Sequence, residues 1–299
     1  MYALFGSIFS VGKFALGASQ PYFLTSVRML LAGGCILGYL FLRDQSRLYI
    51  PKTFWLLITL VAFFNVFITN AFEFWGLQYM SAGKTCLIYS LSPFAAALFG
   101  YILGKEKMTQ KKWIGLIVGI VAFCPMMLEP WLEESQSELN TFELLAQGAL
   151  FISSITCVVG WIFVKKLTVV HRIPDAVVNG YSFFLAGIMC LIPSFFFEEW
   201  DPVPVTTWSD FVFSLLYIII IHNFICYSIY AASLHRFSIT FMTFSGLTNP
   251  IFAGLFGWIF LNEEITFSFI IALVGITIGL TLFYIDEKKL APIETQYTG

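Results

Sequence analysis

Apolar runs and short polar interruptions alternate along the whole chain. The apolar segments fall at 2–17, 23–42, 54–79, 82–103, 110–128, 143–164, 175–197, 208–233, 237–261 and 266–285. Most hold about 20 residues, and at about 1.5 Å of rise per residue such a helix crosses roughly 30 Å of hydrocarbon. The pattern predicts an all-α integral membrane protein with ten transmembrane helices. No connection between them carries enough polar sequence for a soluble domain. Residues 1–17 have no basic leader ahead of their apolar run, so a retained first span is expected instead of a signal peptide, its true start left open upstream.

Part of this pattern is written twice. Pro93, Leu98, Phe99, Gly100, Ile102, Glu106, Thr109 and Leu116 recur 157 positions later as Pro250, Leu255, Phe256, Gly257, Ile259, Glu263, Thr266 and Leu273. A constant offset without gaps marks an internal duplication. A weaker echo pairs Pro21 and Leu31-Ala32-Gly33 with Pro174 and Leu185-Ala186-Gly187. The expected organisation is a five-helix repeat over 1–128, an acidic external linker over 129–142, a second five-helix repeat over 143–285 and a cytoplasmic tail over 286–299. Asn140 with Glu143 is expected to cap the sixth span.

The charges decide how the halves are oriented. Arg43, Arg47, Lys52, Lys105, Lys107, Lys111, Lys112, Lys165, Lys166, Arg172, Arg236, Lys288 and Lys289 follow the even-numbered spans. The alternate connections carry Glu129, Glu133, Glu134, Glu138, Glu198, Glu199, Asp201, Glu263 and Glu264. Lysine and arginine collect on the cytoplasmic side, which places both termini there. Five spans per copy then make the second copy enter from the opposite face, an inverted repeat of the kind secondary transporters use.

Composition narrows the partners. Of 299 residues, 59% are hydrophobic and 11% charged, where a soluble domain has about 25% charged; the partner implied is a lipid bilayer. A net charge of −2 supplies no basic face for nucleic acid. Cys35, Cys86, Cys124, Cys157, Cys190 and Cys226 sit singly inside apolar runs and read as small apolar residues, not a disulfide or zinc framework. Neither metal nor cofactor is expected.

The run from Ala82 through Pro93 and Gly100 to Glu106, Thr109 and Gly115, with its echo from Ser238 through Pro250 and Gly257 to Glu263 and Thr266, resembles the paired EamA-type domains of the drug/metabolite transporter superfamily. Arg28 matches an arginine common in that family's second span. The resemblance covers nearly the whole chain and implies a ten-helix, two-repeat carrier of amino acids, nucleotide sugars, polyamines, nucleosides or related metabolites, one branch carrying S-adenosylmethionine. Glu73 departs from it, since many relatives have no acid at that depth.

Candidate chemistry is polar residues inside spans. Asn65, Thr69 and Glu73 recur every four residues, on one helical face, and the repeat offset maps them onto His222, Cys226 and Tyr230. A carboxylate at bilayer depth costs about 2.5–3.5 kcal/mol on insertion scales, so Glu73 is expected to face the bundle interior or water. It either receives a cation or proton, or pairs with Arg28 or Lys84 as a fastening or a gate. His222 and Asn223 are read as packing or as cavity lining. Trp75, Tyr89, Trp161, Tyr181, Tyr227 and Tyr230 carry polar tips that need partners within spans. Grouped around Glu73 they would suit an organic cation or planar ring. Pro93 and Pro250 are expected to kink spans 4 and 9, turning backbone carbonyls and Asn249 toward the cavity. Gly115 with Gly119, and Gly275 with Gly279, allow close helix contact within the chain or across a homodimer.

These observations favour a secondary carrier of a small polar metabolite, of amino acid or nucleoside type, with cations such as S-adenosylmethionine within that range, working by alternating access. The sequence carries no glycine-rich nucleotide loop followed by lysine and serine or threonine. The rival readings are an intramembrane enzyme, which needs a nucleophile with its base or paired aspartates within spans, and a non-transporting receptor or subunit on the same scaffold.

Overall fold

The computed structural model describes residues 1–102, 109–132, 137–237, 239, 242 and 245–294, without the side chains at 46, 47, 123, 126–132, 137–140, 247, 283, 284 and 286–294. Glu106 and Ser238 lie outside the described residues. The described chain folds into helices α1 (Tyr2–Ala18), α2 (Pro21–Arg43), α3 (Lys52–Leu77), α4 (Ala82–Ile102), α5 (Gln110–Leu132), α6 (Ser137–Lys165), α7 (Asp175–Phe197), α8 (Trp208–Ser233), α9 (Asn249–Leu261) and α10 (Phe267–Glu294). No strand occurs among these residues; Ser19 and Val205 meet only as an isolated bridge. Six helical stretches, Pro21–Arg43, Lys52–Leu77, Ala82–Ile102, Thr141–Val170, Asp175–Phe197 and Trp208–Ser233, are long and apolar enough to cross a membrane. Tyr2–Ala18, Asn249–Leu261 and Phe267–Leu282 are shorter apolar helices.

Several bounds differ from those the apolar pattern predicts. α6 begins at Ser137, so Asn140 lies inside a helix and is no cap; Glu143 pairs instead with Lys84 at 3.7 Å. α5 and α6 both run into 129–142, and α10 continues to Glu294, because helix propensity carries on where hydropathy stops.

Helices expected to be duplicates pack on each other: α2 along α7, α5 along α10, and the first half of α4 on α9. Other contacts swap between the halves, α3 lying on α6 and α8 on α1. Gly279 faces the backbone of Gly115 and Gly119, and Gly275 faces Ala122, so these small residues serve the α5–α10 crossing inside the chain.

The connections gather at two ends. At one end Glu198 accepts from Tyr22 N (2.5 Å) and Phe23 N (2.8 Å) at the start of α2, and Glu263 reaches the start of α4. Burial at this helix end pushes the Glu198 carboxyl up from its ordinary value, against the opposing effect of hydrogen bonds from Ser194, Tyr22 and Phe23. At the other end Tyr181 Oη donates to Leu48 O (3.1 Å), His235 Nε2 lies 3.1 Å from Asp175, and Lys165 Nζ donates to Phe237 O (3.3 Å).

Four interruptions fall in matched helices. α3 and α8 loosen into π-helical bonding over Val61–Ile68 and Ile219–Cys226, a departure frequent at functional sites. α4 breaks at Ser90 and Leu91, and a new helical stretch starts at Ser92; α9 follows a tight 3-10 turn at Gly246–Thr248. Pro93 and Pro250 therefore stand in the first turns of helical segments, where no backbone donor is needed, instead of bending a continuous helix.

Candidate functional site

A cavity of about 840 Å³, its open mouth included, lies among α1, α3, α4, α6, α8 and the start of α9. Tyr2, Phe5, Phe9, Tyr89, Trp161, Tyr227 and Tyr230 supply aromatic walls, and Thr69, Glu73, Ser90, Ser92, His222 and Asn249 supply polar groups. The rings support each other: Trp161 lies 4.1 Å from Tyr230 and 5.4 Å from Tyr227, and Phe5 meets His222 edge-on at 5.6 Å. The breaks in α4 and before α9 bring Ser90, Ser92, Gly246 and Asn249 to the wall.

Glu73 is the acid of the cavity and is 6% exposed. Its Oε2 accepts from Tyr89 Oη at 3.0 Å. Tyr89 Oη also touches Ser153 Oγ, whose hydroxyl donates to Thr69 O at 2.6 Å, so the acid is held by α4, α6 and α3 together. Among the described residues Glu73 makes no ion pair. Of the two expected partners, Lys84, in the first turn of α4, reaches out to Glu143, while Arg28 makes no direct salt bridge with Glu73 and acts on it through space, its hydrogen bonds going elsewhere.

Arg28 is 0% exposed. Its guanidinium carbon sits 4.5 Å from the centre of the Phe74 ring, Nη2 donates to Asn70 Oδ1 (2.6 Å), and Nη1 lies 3.3 Å from His222 Nδ1. Asn70 Nδ2 in turn donates to Val66 O (2.8 Å) and to Tyr227 Oη (3.3 Å). A buried cation thus backs the cavity wall through His222 without lining it.

Of the residues singled out in the sequence, Thr69, Glu73, Tyr89, Trp161, His222, Tyr227, Tyr230 and Asn249 line the cavity. Asn65, Trp75, Tyr181 and Asn223 do not. Asn65 is covered by α6, where Gly160 abuts its backbone, and its Nδ2 donates to Cys157 O (3.3 Å). Asn223 is fully buried toward α2, its Nδ2 3.0 Å from Met29 Sδ. Trp75 packs on Tyr79, and Tyr181 bonds Leu48 O near one end of the bundle. Cys86 and Cys157, read as core residues, are on the wall. Sequence reasoning missed Tyr2, Phe5 and Phe9, in a short first span without a polar stripe, and Asn70, whose only signal is an amide inside an apolar run.

The chain matches the EamA-like transporter family over residues 1–128 and again over 144–285. It is 34% identical over 290 residues to the S-adenosylmethionine/S-adenosylhomocysteine transporter of Chlamydia trachomatis, covering 96% of this chain and 87% of that one. The protein of the same description from Chlamydia muridarum is 35% identical, with 96% and 90% covered. A chloroplastic WAT1-related protein of Arabidopsis thaliana is 25% identical, with 95% and 67% covered. A crystal structure 17% identical in sequence shares the fold, with a TM-score of 0.67 over 97% of this chain and 96% of the other.

Proposed function

The chain belongs to the EamA-like transporter family, and from that premise we propose that it is a secondary carrier for a small organic cation bearing a planar ring, of the S-adenosylmethionine type. It is an integral membrane transporter, not an enzyme. The observation that carries the substrate reading is Glu73: a carboxylate inside an aromatic cavity, hydrogen-bonded by Tyr89 and without a direct salt bridge among the described residues, the buried Arg28 acting on it only through space. An acid at that depth with no cation in direct contact is costly and is stabilised further by an arriving cation. Aromatic faces add roughly 0.5–2 kcal/mol per cation contact. The chlamydial relatives, named for a sulfonium metabolite and its thioether product, support the same class.

Ten spans in two opposed five-helix repeats, 1–128 and 143–285, joined through 129–142, would place this cavity between halves that rock about it. The swapped contacts of α1 with α8 and of α6 with α3, and the matched π-helical turns, support that arrangement. The lysine and arginine distribution supports cytoplasmic termini, and the bacterial relatives support an inner-membrane location. Energy comes from a gradient or from exchange.

Liposomes containing only this protein test the reading. Labelled S-adenosylmethionine should accumulate, and Glu73→Gln should cut its uptake about tenfold or more while the protein unfolds at an unchanged or higher temperature. Unchanged uptake of every accepted substrate in Glu73→Gln makes the acid structural. Absence of uptake altogether favours the receptor reading.

A further inference from the structure

His222 lines the same cavity, yet the substrate's cation needs nothing from it. Arginine only donates hydrogen bonds, and a neutral imidazole has one donor and one acceptor nitrogen. Arg28 Nη1 lies 3.3 Å from His222 Nδ1, which must therefore be the accepting nitrogen. The proton of the ring is left on Nε2. That nitrogen has no hydrogen-bond partner among the described residues, although the residue is only 6% exposed and lies on the cavity wall. A doubly protonated ring would set two donors against each other, so while this contact stands His222 is not the proton carrier.

We infer that His222 Nε2–H, held in that tautomer by the buried Arg28, is a subsite for a carboxylate, so that the cavity reads both charges of a zwitterionic, amino-acid-bearing substrate. The chemistry follows from the wiring. Asn70 Oδ1 fixes Nη2 of Arg28 and the Phe74 ring lies against the guanidinium, leaving Nη1 aimed at the imidazole. The positive charge of Arg28 polarises the ring and makes its outer N–H a better donor to an anion. Glu73 serves the cationic group and His222 the anionic one. Arg28 touches no substrate; it is a positioning residue acting through His222.

This inference rests on the reading of the cavity as a substrate site, and two probes separate the failure of each. Full-length protein in lipid nanodiscs is titrated with S-adenosylmethionine and with its decarboxylated form, which keeps the sulfonium and the ring and lacks the carboxylate. The wild type should bind the carboxylate-bearing compound about tenfold more tightly or better, as expected for a hydrogen bond to a charged group. His222→Phe should bring the two affinities to parity by weakening only the carboxylate-bearing one. Equal affinities in the wild type, or a preference that survives in His222→Phe, overturn the subsite. If the wild type binds neither compound, the substrate reading falls and the subsite with it.

A second measurement needs no substitution. The chain has three histidines, so nitrogen-15 spectra of histidine-labelled protein resolve the His222 ring. A protonated Nε2 and a bare Nδ1 are expected; the opposite tautomer or an imidazolium overturns the assignment whatever the binding results.

Discussion

Lys13 Nζ lies 3.3 Å from Glu263 Oε1, joining α1 to the connection between α9 and α10. The same carboxylate accepts from Ala82 N through both oxygens, at 3.0 and 2.9 Å, and the lysine also donates to Met80 O at 2.5 Å. Three separate parts of the chain thus meet on one acid. Asn262, in the left-handed region at φ 53°, ends α9 and turns the chain so that Glu263 lies over Gly257. Directly inside this clasp Phe9, Ala82, Cys86 and Ala253 close into an apolar cluster, and Phe9 and Cys86 also line the cavity.

The clasp should hold that end of the cavity shut. Glu263→Ala leaves the Ala82 N–H without its acceptor, a loss costing roughly 1–3 kcal/mol, and leaves Lys13 held by Met80 O alone. In protein whose other five cysteines are replaced, a membrane-impermeant maleimide applied from the clasped face should label Cys86 faster in Glu263→Ala than with Glu263 intact. Equal labelling would mean that the apolar cluster alone makes the seal.

Tyr89 ties its hydroxyl to Glu73 at 3.0 Å, so Tyr89→Phe removes a bond to a charged acceptor while leaving the ring in place. Such bonds contribute about 1.5–3 kcal/mol, and the variant should lose about tenfold or more in substrate affinity by equilibrium titration. Neutral analogues of the substrate should be affected less. A uniform loss for charged and neutral compounds would point to general damage to the wall.

The membrane class, the duplication and most of the cavity's polar groups were legible because each leaves a periodic mark. Glu73 and His222 stand out as ionisable groups in apolar runs, and the repeat offset pairs Thr69 with Cys226 and Glu73 with Tyr230. What the pattern could not supply is which neighbouring helix closes over a face. Asn65 shares the stripe of Thr69 and Glu73, yet α6 covers it through Gly160. Arg28 and Glu73 have opposite charges, yet Asn70, one residue off the stripe, captures the guanidinium. Both outcomes depend on contacts between residues more than forty positions apart or on helix crossings, for which local sequence holds no signal.

The aromatic wall separates cavity rings from core rings. Trp161→Ala removes the ring that lies 4.1 Å from Tyr230, and Tyr230→Ala removes its partner. Each should weaken substrate binding by about tenfold or more, and the double variant by less than the product, since the two rings brace one another. Trp75→Ala, outside the cavity and packed on Tyr79, should lower thermal stability with affinity preserved. Equal affinity losses in all three would deny the cavity its special wall.

Gly160 and Gly148 lie on the same helix and offer opposite outcomes for one chemical change. A Cβ at Gly160 would collide with the N, Cα and Cβ of Asn65, and backbone on a packed π-helical turn of α3 has little room to yield. A Cβ at Gly148 meets nothing within 4 Å. Overpacking typically costs about 1–3 kcal/mol, whereas alanine in place of glycine inside a helix gains roughly 0.5–1 kcal/mol. Gly160→Ala should therefore lower the unfolding temperature in detergent and Gly148→Ala should raise it or leave it alone. Because Trp161 follows Gly160 directly, forcing α6 away from α3 should also shift that ring and weaken substrate binding in Gly160→Ala only. Matching stability changes in the two variants would show that α3 and α6 do not approach as closely as their backbone contact requires.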